Sequence, residues 1–381
     1  MKKKIALDLQ PCCGNRSGVG NVAYELACRL HDTDGIQFHG NVFNFMGMFD
    51  LNKQLDGISM PINECRYMHY GVYRRTWGLS PVKYDSYFKK ADVSIFFNFA
   101  MPPKISGKSL VYVHDMTYLR YPDTISKKNM RFITESTKYS IKHAERILTN
   151  SEFSKREISE LTGMKLDKID VIYPSLSFGM KKEQINDGTI PSRLIEEFGI
   201  NNDVRYILFV SSIEPRKNIK RLLLAFDQLK REKQIAHKLI LAGGKGWNNE
   251  EIFTTADRLS CRKDIIFTGF VSSEEKEALY RNAEIFVYPS IYEGFGMPPL
   301  EAMSRGCPVI TSNAASLPEA CGDAAEFVNP YSVDSIAEGM YRVLTSTERR
   351  KELILKGYAN LRRFSWDESA DRLINVCESC L

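Results

Sequence analysis

The stretch Tyr288-Pro289-Ser290-Ile291-Tyr292-Glu293-Gly294-Phe295-Gly296-Met297-Pro298-Pro299-Leu300-Glu301-Ala302-Met303 reads as a strand end, a glycine-rich loop and the start of a helix. The apolar run 285–288 supplies the strand, and Pro298-Pro299 suits the opening of a helix. Backbone amides of Gly294, Phe295, Gly296 and Met297 in such a loop would point at a bound anion. Glu301 is expected in the first turn of the helix, where the dipole favours a carboxylate. A carboxylate there can also accept two hydrogen bonds from a ribose diol. Glu293, eight residues earlier, lies in the loop and would face a reacting sugar. Taken singly, Glu301 reads equally as a helix-stabilising acid and Glu293 as an exposed loop acid. Other constellations in the chain decide between these readings.

Two segments upstream have the same strand–turn–helix form. Ser211-Ser212-Ile213-Glu214-Pro215-Arg216-Lys217-Asn218 follows the apolar run 206–210. Ligands of open α/β sheets bind beyond the carboxyl ends of the strands. There Lys217 offers a point charge and Arg216 a planar fork of donors, a pair that suits a diphosphate. Elsewhere such a pair would be two solvated surface charges. Ser17-Gly18-Val19-Gly20-Asn21 follows the strand 5–9 and precedes the helical run 22–30. A glycine such as Gly18 lets backbone approach a phosphate at a helix N-terminus. Ala23 takes the third glycine's place in G-x-G-x-x-G, and the expected downstream acid is missing, so a dinucleotide fingerprint is not met.

Short apolar runs alternate with helical spacing along most of the chain. The strand-like runs are 5–9, 93–97, 110–114, 146–149 and 170–173, then 206–210, 238–241, 265–268, 285–288 and 308–311. Between them, Ile219, Leu222, Leu223, Phe226 and Leu229 mark one face of a helix over 218–230. Such alternation predicts parallel sheets covered on both faces. At 381 residues the chain exceeds one ordinary core. The turn-rich stretch 177–203, with Gly179, Lys181-Lys182, Asn186-Asp187-Gly188 and Pro191, predicts a domain boundary, since the strand series restarts after it.

Composition narrows the classes. Hydrophobic residues make up 43% and charged residues 26%, a globular balance that excludes a disordered or fibrous chain. The net charge of +5 requires no polyanionic partner, and no nucleic-acid module is present. Asp8 interrupts the N-terminal apolar run, which is too short for a signal peptide. No stretch reaches the roughly 18 apolar residues of a membrane span. The nine cysteines are scattered; Cys377 and Cys380 alone have C-x-x-C spacing, a weak zinc signal without a second pair. Reduced thiols in a cytoplasmic protein are the plain reading. Arg66-Tyr67-Met68-His69-Tyr70-Gly71-Val72-Tyr73-Arg74-Arg75-Thr76-Trp77 mixes bases with rings and lacks periodicity. It reads either as a partly packed loop or irregular helix, or as a surface for an acceptor sugar or an anionic membrane face.

With these motifs quoted, the chain resembles the retaining GT-B glycosyltransferases of family 4 over nearly its whole length. The E-x7-E pattern is Glu293 and Glu301. Val111-Tyr112-Val113-His114-Asp115-Met116 looks like the family strand that ends in a histidine, and Leu148-Thr149-Asn150-Ser151-Glu152-Phe153-Ser154 like another family strand end. Ile213-Glu214-Pro215-Arg216-Lys217-Asn218 is similar to the diphosphate motif of mannosyltransferase-like members, and 309–312 with Leu317-Pro318-Glu319 to the C-terminal signature. The resemblance implies two Rossmann-like domains facing across a cleft. The acceptor-side domain would be 1–176 plus 366–381, because the family's last helix returns to it. The nucleotide-sugar domain would be 177–365. It further implies that Gly18 meets the diphosphate, His114 the donor hexose, Arg216 and Lys217 the departing diphosphate, Glu293 the sugar and Glu301 the ribose. Phe270 and Val271 match the loop bordering the base. Ser212 stands where many relatives carry arginine, which leaves the phosphate clamp to Arg216 and Lys217.

The implied activity is retaining transfer of a hexose, with mannose from GDP-mannose favoured, to a glycan or lipid-linked acceptor in cell-surface polysaccharide synthesis. No cofactor or metal is expected, since no Asp-x-Asp site stands in a suitable loop. The partners would be the nucleotide-sugar and its acceptor, with membrane contact at the inner face through 66–77 and no nucleic acid. Three rivals remain: a UDP-sugar-dependent transferase, a non-transferring GT-B relative such as a nucleotide-sugar epimerase, and an inert sugar-binding scaffold. A nicotinamide dehydrogenase is opposed by the incomplete glycine fingerprint.

Overall fold

β1 (Lys3–Asp8) is buried from Ile5 onward, as a strand covered by helices on both faces must be. The computed structural model describes residues 2–33, 35–78, 82–124, 127–177 and 189–381. In it β1 pairs in parallel with β2 (Ile36–Phe43) on one side and β4 (Val93–Phe96) on the other. With β3 (Ile62–Cys65), β5 (Lys108–Tyr112), β6 (Arg146–Thr149) and β7 (Ile169–Val171), the order is β3-β2-β1-β4-β5-β6-β7. A second all-parallel sheet comprises β8 (Tyr206–Val210), β9 (Lys238–Ala242), β10 (Ile265–Gly269), β11 (Ile285–Tyr288), β12 (Val309–Ser312) and β13 (Ala325–Val328). Its order is β10-β9-β8-β11-β12-β13. In each sheet the winding reverses beside the first strand, between β1 and β4 and between β8 and β11. Such a switch point opens a crevice at the strands' carboxyl ends.

Residues 1–119, 127–175 and 364–381 form one compact unit; 120–126 and 176–363 form the other. This differs from the expected division at 120–126, at Leu176 and at 364–365. Residues 120–124 belong with the second unit, where Tyr121 packs 5.3 Å from the Tyr292 ring and Asn248 donates to the Asp123 carbonyl. The return to the first unit begins at Phe364, whose carbonyl accepts Ser175 Oγ at 2.9 Å and whose ring meets Tyr173. The final helix, Trp366–Ser379, then buries Leu373, Val376 and Cys377 in the core beside Ile5 and Leu7. Cys377 and Cys380 are therefore buried thiols of an apolar core, and all nine cysteines are free.

Other sequence expectations are also corrected. β2, β3 and β13 were not anticipated. β2 carries His39, Gly40 and Asn41 in mid-strand, and Asn41 is buried only because its amide reaches Tyr84 and accepts from Asn63. β3 and β13 are four-residue edge strands, too short to show a pattern. Of the expected boundary, Gly179, Lys181, Lys182, Asn186, Asp187 and Gly188 lie outside the described residues. Farther on, Pro191 caps a helix, Ser192–Phe198, that Gly199 ends in the left-handed conformation. The segment 66–77 contains a helix, Tyr70–Thr76, whose Tyr73 is buried against Phe43 with centroids 4.7 Å apart.

Gly243, just after β9, has φ +150°, and an added Cβ would stand 1.9 Å from the Ser211 carbonyl oxygen. That neighbour is backbone of the loop after β8 and cannot rotate away. Gly243→Ala should therefore cost more than about 2 kcal/mol in urea unfolding. A loss within about 0.5 kcal/mol would mean that the loop moves freely.

Candidate active site

The switch point of the second sheet gathers the charged side chains of two loops. The loop after β8 turns through a short 3-10 helix, Pro215–Lys217, and Asn218 at φ +62° starts the helix Ile219–Lys233. Asn218 can hold that conformation because its amide donates to the carbonyls of Pro289 and Pro330 at 2.9 and 2.6 Å. The turn buries Lys217 beneath the loop that follows β11. Lys217 Nζ donates to Glu293 Oε1 at 2.6 Å and to Tyr288 OH at 2.9 Å. Tyr288 OH and Ser290 Oγ donate to the same oxygen at 2.9 and 2.7 Å. Arg216 Nη1 reaches Glu293 Oε2 at 3.0 Å and the Tyr292 carbonyl at 2.7 Å, and its Nη2 reaches Glu214 at 2.8 Å.

Glu293 thus accepts from four donors. Burial alone would raise its carboxyl, but Lys217 and Arg216 outweigh that and hold it at about 2. It is a fixed anion, unsuited to carry a proton at neutral pH. Burial pulls the Lys217 ammonium below its ordinary value, and Glu293 pulls it back. Two cations face two carboxylates here, so an incoming anion must share Arg216 and Lys217 with Glu293 and Glu214.

The loop continues to Gly296, at φ +113°, where a Cβ would meet Leu317 Cδ2 at 2.6 Å. The Ser316 hydroxyl pins the loop from below, 2.8 and 2.9 Å from the carbonyls of Glu293 and Phe295. The helix Met297–Ser304 follows, with no side-chain cap. Prolines at 298 and 299 remove two amides of its first turn, leaving those of Met297 and Leu300. Fewer amides than expected are available to an anion at this helix end, so more of the demand falls on the cations. Because the helix starts at Met297, Glu301 is its fifth residue and lies beyond the first turn, contrary to the sequence expectation. The helix-end stabilisation invoked for it therefore does not apply. Its carboxylate accepts from Lys276 Nζ at 2.9 Å and Tyr280 OH at 3.1 Å. Elsewhere in this unit Ser212 and Val271 are half-buried and Phe270 is exposed, its carbonyl accepting from Arg193.

In the first unit, Gly18 opens the helix Gly18–Arg29, and a Cβ there would meet nothing within 4 Å. The tight approach is at Gly20, where a Cβ would meet the Pro11 carbonyl at 2.3 Å. His114 follows β5 and is buried. Its ring stacks on Tyr112 with centroids 4.5 Å apart, Nε2 donates to the Phe97 carbonyl at 2.7 Å, and Nδ1 accepts from Asn150 at 3.3 Å. Burial lowers its pKa, so the ring is neutral. Both nitrogens are engaged, so a sugar contact through either would displace a protein partner.

The family model described as "Glycosyl transferases group 1" matches residues 192–360. Over 400 residues the sequence is 33% identical to O-antigen chain mannosyltransferase B of Escherichia coli, covering 98% of this chain and 99% of that one. The chain belongs to the group 1 glycosyltransferases. A second relative, serotype-specific mannosyltransferase WbdA of Escherichia coli, is 30% identical over 269 residues, which are 70% of this chain and 33% of that one. Among solved structures, sucrose-phosphate synthase from Thermosynechococcus elongatus superposes with a TM-score of 0.72 at 15% identity, over 99% of both chains. That likeness speaks for the fold, the GT-B pair of Rossmann-like parallel-sheet domains.

For this glycosyltransferase, the structure brings Arg216, Lys217 and Glu293 into one cluster and carries Gly294, Phe295, Gly296 and Met297 directly on from it. Glu301 has its own pair of donors. Gly18 and His114 belong to the other unit. Sequence reasoning missed Tyr288, Ser290 and Glu214, which stood inside the quoted motifs but had no assigned partner. Ser316 and Lys276 gave no local signal. Glu301→Gln is expected to weaken nucleoside diphosphate binding severalfold by calorimetry with little change in melting, since its ion pair with Lys276 is partly solvated. Unchanged binding with a lower melting temperature would reduce Glu301 to a structural role.

Proposed function

We propose that this glycosyltransferase is a retaining mannosyltransferase of family 4 that uses GDP-mannose and extends a glycan or lipid-linked acceptor in cell-surface polysaccharide synthesis. The observation that carries the reading is the buried Lys217–Glu293–Arg216 cluster at the second switch point, where a leaving diphosphate needs fixed positive charge. The similarity to O-antigen chain mannosyltransferase B of Escherichia coli over nearly the whole chain supports the donor sugar and the pathway class.

In this reading Arg216 and Lys217 take up the charge that develops on the diphosphate as the bond from sugar C1 to phosphate oxygen breaks. Glu293 holds both cations in place before the donor arrives, so little reorganisation accompanies the reaction. The acceptor oxygen attacks C1 from the face the diphosphate leaves, and its proton passes to a phosphate oxygen. Side-chain cations perform the task that a metal ion serves elsewhere. No helix among the described residues is long and apolar enough to cross a membrane. Of the segment 66–77, Tyr73 is buried and Arg74 half-buried, which leaves Arg66, Tyr67 and Arg75 to meet an anionic membrane face. Salt-sensitive flotation with anionic vesicles measures that contact.

The deciding experiment incubates the protein with GDP-mannose, UDP-glucose and UDP-galactose, with a mannose-ended acceptor and a strong chelator present. The α-anomeric GDP-mannose should be consumed, GDP released and an α-mannoside formed. A β-product would remove retention, loss of activity restored by divalent ions would remove the metal-free site, and preference for a UDP-sugar would reassign the donor.

A further inference from the structure

Glu301 stands on the helix Met297–Ser304, but both of its side-chain donors come from another helix, Ser273–Asn282. Lys276 and Tyr280 are four positions apart there, so they share one face. Lys276 Nζ donates to Glu301 Oε1 at 2.9 Å, and Tyr280 OH donates to Oε2 at 3.1 Å. Each oxygen of a carboxylate can accept two hydrogen bonds, and this arrangement uses one on each. One acceptor position per oxygen is left, at a fixed spacing. That pair matches the two donors of a vicinal diol.

The two donors differ in kind. Tyr280 is 1% exposed, and its hydroxyl lies 3.5 Å from the Pro298 carbonyl, so the core fixes it. The side chains of Lys276 and Glu301 are 35% and 25% exposed, which leaves their ion pair open to a ligand. Such a partly solvated pair contributes at most about 1 kcal/mol to stability, so the fold gives little reason for a lysine here. The neighbouring acids are held elsewhere: Glu275 pairs with Arg193, and Glu277 with Arg281 and Arg305. The same helix carries the loop that, by resemblance, borders the base. Phe270 and Val271 precede its N-cap Ser272, which shares a capping box with Glu275. Arg193 grips both Glu275 and the Phe270 carbonyl. One rigid element therefore fixes the base loop and the orientation of Glu301.

We propose that Lys276 is a positioning residue for donor selection: by holding Glu301 Oε1 it sets the carboxylate plane so that both oxygens meet a ribose diol, and the site then selects ribonucleoside over dideoxyribonucleoside diphosphates. The inference rests on the reading of Glu301 as the ribose contact and adds a residue that acts through it.

The test is calorimetry of the full chain with GDP, 2′,3′-dideoxy-GDP and the same pair of uridine diphosphates, with thermal melting of each sample. The parent should bind the ribonucleotide at least about tenfold more tightly than its dideoxy counterpart, as hydrogen bonds to a charged acceptor require. Lys276→Leu should weaken the ribonucleotide at least about fivefold and the dideoxy form less than about twofold, so that the preference collapses. Lys276→Arg, which keeps a charged donor for Oε1, should restore most of the preference. An ion pair that serves only the fold would shift the melting temperature and leave the ratio alone. An unchanged ratio in Lys276→Leu, where Glu301→Gln loses it, overturns the role of Lys276 and leaves Glu301 on the ribose. Equal weakening of both forms reduces Lys276 to a general charge and overturns it too. Equal binding of both forms by the parent removes the ribose reading of Glu301 itself, and a parent that binds none of the four removes the donor site, each taking this inference with it. Preference for the uridine pair reassigns the base, and the ratio within that pair then decides on Lys276.

Discussion

Lys217→Ala is expected to cut turnover at saturating donor at least tenfold, because the contact proposed for it with the leaving diphosphate would be worth more than about 1.4 kcal/mol in a closed site. The structure adds a second consequence. Lys217 is buried and supplies the shortest of the four contacts to Glu293, at 2.6 Å. Removing one partner of a buried pair leaves the other charge uncompensated and costs about 3 kcal/mol or more. The variant should therefore unfold at lower urea as well. Lys217→Met separates the two effects, since it restores packing without charge: stability should recover in part and turnover should not. Unchanged turnover in the alanine variant, at a donor concentration shown to saturate, would take Lys217 out of the reaction.

Glu293→Gln should be the most acid-tolerant variant and the least stable one at neutral pH. Glu293 titrates at about 2 in the folded chain against an ordinary 4.5. A carboxyl depressed on folding contributes stability that is complete above its unfolded pKa and fades as pH falls towards the folded one. At 1.36 kcal/mol per pKa unit that contribution is about 3 kcal/mol at pH 7, lost between about pH 5 and pH 2. Glutamine has no such contribution to lose. Urea unfolding at pH 7 and pH 3 should show the parent's full advantage at the first and less than half of it at the second. Parallel losses in parent and variant would show that Glu293 titrates normally. Turnover should fall with stability at pH 7, since Arg216 and Lys217 lose the anion that holds both of them.

Much of this was legible in the chain itself. The short apolar runs marked ten of the thirteen strands among the described residues, and helix face positions such as Ile219, Leu222 and Phe226 are buried as their spacing required. Of the strands that escaped notice, β3 and β13 are short edge strands, and β2 has an environment that departs from its composition. β2 buries Asn41 because tertiary partners satisfy its amide, and no local pattern announces such partners. The site divided in the same way. Arg216, Lys217, Glu293 and Glu301 were recognisable from their motifs and from the strand ends that carry them. The first-turn placement of Glu301 failed by one residue, because the helix begins at Met297, one position before the expected opening at Pro298. The segment 66–77 read either as a partly packed loop or irregular helix or as a binding surface, and only tertiary contacts draw Tyr73 into the aromatic cluster around Phe43 and leave Arg74 half-buried.

The sequence alone determined the architecture and the inventory: parallel sheets from alternating strands and helices, turns from Gly18, Gly20, Gly294 and Gly296, and two cations placed after an apolar strand. These follow from local rules, because strand burial, helix spacing and turn chemistry are settled within a few residues. Only the tertiary structure decided which charges meet. Lys217 and Glu293 are 76 positions apart and touch because β8 and β11 are neighbours at a switch point. The same non-local order left one buried carboxylate with four donors and another, Asp8, with a single long one. A carboxylate's chemistry depends on what lies within hydrogen-bonding reach of its oxygens, and strand order sets that distance where residue spacing cannot.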